Sequence, residues 1–168
     1  MMRLVDNFFI RDVLYVAPEL LGKILVIKKD DSIIQFPITE VEAYRGEADR
    51  ACHASKGRTA RTEIMYHQGG VIYVYLIYGM YWMLNFVTGV ANQPQAALIR
   101  GIEGFDGPGK LTKQLSINKS FYGENLCHSQ RIWLEDSKSV KDFIATPRIG
   151  IDYAGEPWIS KPWRFSTT

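Results

Sequence analysis

The chain has 168 residues, 46% of them hydrophobic, and a formal net charge of +2 at pH 7. The length suits one domain around one core, and the hydrophobic share excludes a disordered chain. Such a small charge gives no argument by itself for a nucleic-acid partner, and two cysteines are too few for a disulfide framework. The opening Met-Met-Arg-Leu-Val-Asp shows no signal-peptide pattern, so a reducing cytoplasm is the expected compartment.

In chain order, Asp12–Leu21 reads as a short amphipathic helix, with Gly22 placed to close it. Lys23–Lys29 is apolar and β-branched, Asp30-Asp31-Ser32 is turn chemistry, and Ile33–Tyr44 continues as a second strand of a hairpin. Residues 45–70 break the pattern. They are polar, rich in Gly, Arg and Thr, and carry Cys52-His53; part is expected to be helical near Asp49–Ala54. A long irregular loop inside a domain is usually functional or mobile.

Val71–Val87 is almost wholly apolar or aromatic, with Tyr73, Tyr75, Tyr78 and Tyr81 inside nine residues. It falls short of the ~18 strongly apolar residues of a membrane helix, and its hydroxyls and Asn85 would lack partners in lipid. Gly79 marks a turn instead: Val71–Ile77 runs up, Tyr78-Gly79 turns, and Met80–Val87 returns. Strand alternation puts Tyr73, Tyr75 and Ile77 on one face and Ile72, Val74 and Leu76 on the other. Tyr78 lands at the tip. Aromatic stripes are mostly core filler, but stability does not explain an aromatic tip. It resembles the wedge that DNA-bending and base-flipping proteins push into the stack.

Gly89–Gln95 is a loop, and Ala96–Glu103 is a strand carrying Arg100. Gly104–Gly109 is a glycine-rich turn, and Gly107-Pro-Gly-Lys110 leads into a helix over Leu111–Leu115. Ile132–Glu135 and Arg148–Ile151 read as further strands, and Gly155–Phe165 is a Pro/Trp-rich ending. The expected class is α+β, dominated by antiparallel strands.

Few residues carry candidate chemistry. Glu40 and Glu42 share one strand face, and paired carboxylates suit acid/base work at a glycosidic bond, although most such pairs are simply solvated. Cys52-His53 and Cys127-His128 lack metal-ligand spacing, so no metal site is expected. Gly107-Pro-Gly-Lys110 lacks the Walker spacing but could hold one backbone phosphate. Basic residues gather as Lys56, Arg58 and Arg61, as Lys110, Lys113 and Lys119, and as Lys161 and Arg164, although scattered surface cations are ordinary.

These blocks occur in one order: Glu40-Val-Glu-Ala-Tyr44, Ala51-Cys-His53, Tyr73-Val-Tyr-Leu-Ile-Tyr-Gly-Met-Tyr81, Asn85, Leu98-Ile-Arg100, Gly107-Pro-Gly-Lys-Leu111 and Ile117-Asn-Lys-Ser-Phe121. The order resembles the alkyladenine (3-methyladenine) DNA glycosylase family from about Asn7 to Phe165. The resemblance implies a monofunctional DNA-repair hydrolase that flips an alkylated or deaminated purine out of duplex DNA. It then cuts the N-glycosidic bond and leaves an abasic site. The implied fold is a single α+β domain over residues 1–168, with a curved antiparallel sheet, flanking helices and a hairpin that enters the minor groove. Residue by residue, Glu42 matches the general base and Arg100 a residue beside the water and phosphates. Tyr44 and Tyr75 match the walls that sandwich the base, with His53 on its edge and Asn85 and Leu98 on the pocket floor. Tyr78 matches the side chain that fills the gap in the duplex.

Arg58, Arg61 and Lys110 are the nearby candidates for the DNA backbone. A monomer that needs no cofactor or metal, and has no membrane partner, is expected. Thr59-Ala60-Arg61-Thr62 departs from the Thr-Pro-Arg-Asn often found in the family, and the missing proline is expected to loosen the loop. Two rival readings stand beside the glycosylase. A damaged-DNA binder without activity would gain nothing from a carboxylate facing anionic DNA, and a carbohydrate hydrolase would use Glu40 and Glu42 together.

Overall fold

The computed structural model describes residues 1–168. Two helices open the chain, α1 (Asp6–Phe9) and α2 (Val13–Leu20). Asp12 caps α2 by accepting the Leu14 N–H at 2.9 Å, and Gly22 follows the helix with φ +81°. The strands are β1 (Ile24–Lys29), β2 (Ser32–Arg45), β3 (Ile72–Ile77), β4 (Tyr81–Thr88), β5 (Gln95–Ile102), β6 (Phe105–Asp106), β7 (Ile132–Glu135), β8 (Phe143–Thr146) and β9 (Arg164–Thr167). A third helix, α3 (Pro108–Gln114), follows β6. All strand pairs are antiparallel, in the order β3-β4-β5-β2-β1-β7, with β6 on β5 and β9 joining β2 to β8. The class is α+β, as the sequence predicts.

Alternation sorts the side chains into two layers. Val41 and Ala43 of β2, Ile72 and Val74 of β3, Leu84 and Phe86 of β4, and Ala97 and Ile99 of β5 join the main core with α2 and α3. The residues between them face the other way. There Tyr73, Val87 and Ala96 meet Cys52, Ala54, Ile64, Met65 and Tyr66 in a second apolar cluster. Residues 46–70 therefore roof this second face. They contain short 3-10 turns at His53–Lys56 and Glu63–Tyr66, where the sequence suggested helix only near Asp49–Ala54.

The loop with the missing proline is tied down by other means. The Thr59 and Thr62 hydroxyls each accept the other's backbone N–H, Thr62 Oγ1 donates to Gly57 O, and the Tyr122 hydroxyl donates to the Arg61 carbonyl at 3.0 Å.

The aromatic hairpin is present. The Met80 N–H closes onto Ile77 O at 3.0 Å, and the two central residues, Tyr78 and Gly79, have φ +50° and +65°. Positive φ at both positions is the turn whose twist suits a hairpin. Met80 belongs to this turn, so the return strand starts at Tyr81 and not at Met80. Beside it, Gly107-Pro-Gly-Lys110 starts α3 and packs it close. A Cβ at Gly109 would sit 2.8 Å from the Tyr81 ring, so only glycine lets the helix lie against the hairpin.

One expected strand is absent. Arg148–Ile151 forms no ladder; the strand lies just before it, at Phe143–Thr146, and ends where Pro147 removes a backbone donor. The Pro/Trp-rich ending gives way to β9, which adds to β2 beside Glu42. No helix is long and apolar enough to cross a membrane.

Candidate active site

Register builds the site. Across the sheet, Arg164 faces Glu42, Glu42 faces Leu98, Leu98 faces Asn85, and Asn85 faces Tyr73. This row lies on the face opposite the main core, two residues from Tyr44 on β2 and from Tyr75 on β3. A cavity of about 460 Å³ opens over it. Tyr44, His53, Tyr75, Tyr78, Asn85, Leu98 and Arg100 all line it, as do Ile149 and Tyr153 from the segment after β8. Seven residues picked out in the sequence, spread over 57 positions from Tyr44 to Arg100, therefore converge on one pocket.

Glu42 lies one layer beneath. Its side chain is fully buried and does not line the cavity. One carboxylate oxygen accepts the Ile149 N–H at 2.7 Å, and the other accepts the Tyr44 hydroxyl at 2.7 Å. Arg100 Nε stands 3.6 Å from Glu42 and 3.2 Å from Glu40. Burial raises the Glu42 carboxyl above its ordinary range, against the pull of Arg100, the Ile149 N–H and the Tyr44 hydroxyl. Glu40 shares the face, as expected, but is only partly buried, between two guanidiniums, with Arg164 also at 3.2 Å. The two carboxylates differ accordingly: Glu40 is held by paired cations, while Glu42 is desolvated.

The walls are fixed by their neighbours. His53 meets the Tyr75 ring edge-on at 4.5 Å, and its Nδ1 lies 2.8 Å from the Tyr73 hydroxyl. Burial, together with the charges of Arg61 and Lys56, lowers His53 to about 4, so the imidazole is neutral at physiological pH. Asn85 is buried, and its Nδ2 donates to Tyr73 O and Met83 O, so this part of the floor is rigid.

The cations nominated for the DNA backbone part company. Arg58 is engaged by Glu63 at 2.7 Å and stacks on Tyr66. Arg61 lies over the Tyr75 ring at 5.1 Å, bracing a wall. Lys110 is exposed on α3. A second cavity of about 800 Å³ adjoins the first across Ala51, His53 and Tyr153, and its lining includes Arg50, Lys56 and Arg61. Cys52 is buried in the roof cluster, and no three His, Cys, Asp or Glu side chains converge as metal ligands.

Sequence reasoning missed Asp49, Arg148, Ile149 and Tyr153. Arg148 sits in a stretch read as strand, and its partner Asp49 is 99 residues away, so no local pattern announces the pair.

An aromatic cavity on a sheet face, lined by an arginine and with a desolvated carboxylate beneath it, fits an enzyme that cuts an N-glycosyl bond; the class is a DNA glycosylase. The family model for methylpurine-DNA glycosylases matches residues 7–107 and 104–168, and the chain belongs to that family. Relatives provisionally named 3-methyladenine DNA glycosylases align along nearly their whole length. One from Methanocella arvoryzae is 45% identical over 95% of this chain and 89% of its own. Another from Wolbachia pipientis is 45% identical over 95% and 88%, and one from Psychrobacter cryohalolentis is 43% identical over 94% and 87%.

Proposed function

We propose that the enzyme, acting as a monomer, turns a 3-methyladenine-type or deaminated purine out of duplex DNA and hydrolyses its N-glycosidic bond. Residues 1–168 serve as one glycosylase domain in the cytoplasm, at the nucleoid if the source is bacterial. The observation that carries the reading is the desolvated Glu42 beneath a cavity walled by Tyr44 and Tyr75. A DNA binder without activity would gain nothing from such a carboxylate, and a carbohydrate hydrolase would need Glu40 free of its two arginines.

The chemistry follows from the residues. An alkylated purine is electron-poor, often cationic, and stacks between the electron-rich rings of Tyr44 and Tyr75. A neutral His53 at its edge adds no repelling charge. Tyr78, 88% exposed at the hairpin tip, fills the space the base vacates. The rigid Asn85 floor excludes the extra exocyclic amine of guanine. The phosphates flanking the flipped sugar run toward the cavity lined by Arg50 and Lys56.

Glu42 takes the proton of a water whose oxygen bonds to C1′. The C1′–N bond breaks with its electron pair passing to the purine; a cationic base leaves neutral with no acid, and a neutral deaminated base leaves as an anion that takes its proton from water. The carboxylate also offsets positive charge developing on the sugar. Water reaches Glu42 on the Arg100 side. That contact, at 3.6 Å, is longer than a hydrogen bond, and the arginine can turn toward a phosphate.

Methylated duplex DNA tests the reading. The enzyme should release free methylated purine and leave an intact abasic strand, with no adduct trapped by borohydride, because water is the nucleophile. A trapped protein–DNA adduct, or no base release, would contradict it.

A further inference from the structure

Glu42 is held by two donors, and both lead to one buried ion pair. Arg148 and Asp49 have fully buried side chains, joined by two bonds of 2.7 and 3.0 Å. Arg148 also donates to the Ala43 carbonyl at 2.9 Å, next to Glu42 in sequence, and its guanidinium lies 4.8 Å from the Tyr44 ring and 5.0 Å from Trp163. One residue further, the Ile149 N–H holds Glu42. Asp49 accepts the Arg45 and Ala51 N–H groups at 2.9 and 3.0 Å, which shapes the chain entering His53. A buried ion pair is weak evidence for stability, since apolar residues often replace one without loss. Its convergence on Glu42 from two sides asks for another role.

We propose that the Asp49–Arg148 pair is the positioning device for Glu42, fixing the Tyr44 ring and the Ile149 N–H that together aim both carboxylate oxygens. The inference rests on Glu42 as the general base. Arg148 touches no reacting atom and acts through Glu42. It adds to the field there, lowering the Glu42 carboxyl against desolvation. The other groups facing Glu42 are Tyr44 and Glu40 from β2, Arg100 from β5, Arg164 from β9, Tyr75 from β3 and Tyr153 after β8. None of them holds the Ile149 N–H.

Two variants test this by single-turnover excision from methylated duplex DNA across pH, alongside lesion binding and thermal melting. Asp49→Leu combined with Arg148→Met removes both charges and leaves no orphan ion. Arg148→Lys keeps the cation and loses the two-pronged geometry. In the double variant the excision rate should fall roughly 10- to 100-fold, the scale of a misplaced catalytic group. Lesion binding should persist, and the acidic limb should move to higher pH. In Arg148→Lys the limb should stay near the parent's while the rate falls by less. A purely packing role would lower the active fraction without moving the limb.

A folded double variant with the parent rate and limb overturns the inference. If the double variant does not fold, Arg148→Lys decides: a parent rate overturns it, and a reduced rate with intact binding supports it. Glu42→Gln is run in parallel. If it excises at the parent rate, the general-base reading itself fails; if it is inactive while the double variant is unchanged, only the positioning role fails.

Discussion

Glu42 and His53 carry opposite consequences of the same burial. The Glu42 carboxyl is raised, chiefly by desolvation. Stability drawn from its neutral form is therefore full below the ordinary carboxyl range and is lost as pH rises through the raised value. Above that value the fold carries a desolvated anion. Glu42→Gln should therefore gain melting temperature relative to the parent as pH rises from acid to neutral; a gain that shrinks or reverses as pH rises would contradict this. His53 is lowered to about 4 from 6.5, so its contribution is full above 6.5 and is lost as pH falls toward 4. Proton NMR should find its midpoint near 4. A midpoint between 6 and 7 would mean that the roof over Tyr73 and Tyr75 is looser than these contacts imply. At this scale the sequence was informative where function uses local pattern. Tyr78 at the tip follows from Gly79 and alternation, and Glu42 stands out with Glu40 on one strand face, whereas the part given to Tyr44 comes from the family resemblance. Arg148 and Asp49 follow from neither, because their pairing is made only when distant segments fold together.

The hairpin is the element with the least to gain from its own packing. Tyr78 takes a positive φ, uncommon for a side chain of its size, and leaves its ring in solvent. Tyr78→Ser should leave the fold intact and weaken binding to a duplex with an extruded base by ~1–3 kcal/mol, the scale of base–aromatic stacking. Unfolding without loss of binding would make the residue structural. The base of the hairpin behaves differently. Gly109→Ala pushes a methyl group into the Tyr81 ring and should cost ~1–3 kcal/mol of stability in urea unfolding, as overpacking does; an unchanged midpoint would show that α3 can shift away freely. Long strands with alternation and turn residues, β1 to β5, were legible because period and punctuation agree. The 3-10 turns, α1 and the β8–β9 pair were not. They are short, and partners contributed by the rest of the fold hold them.

For the whole molecule, the antiparallel sheet separates stability from chemistry: one face packs on the helices, and the other presents a cross-strand row to a roof of loops. The sheet carries both the carboxylate and the aromatic walls Tyr44 and Tyr75, and the roof closes over them through His53. The central claim is that this buried carboxylate is the base. Its most direct test is the single-turnover excision rate of Glu42→Gln against Glu40→Gln on methylated duplex DNA from acid to neutral pH. Glu42→Gln keeps the shape and an oxygen to accept the Ile149 N–H, while losing charge and basicity. It should bind damaged DNA as well as the parent, fall at least ~10²-fold in rate, and lose the acidic limb. Glu40→Gln, removing a carboxylate already paired with Arg100 and Arg164, should keep most activity and the limb. Near-parent excision by Glu42→Gln, with the loss falling on Glu40→Gln instead, would contradict the account.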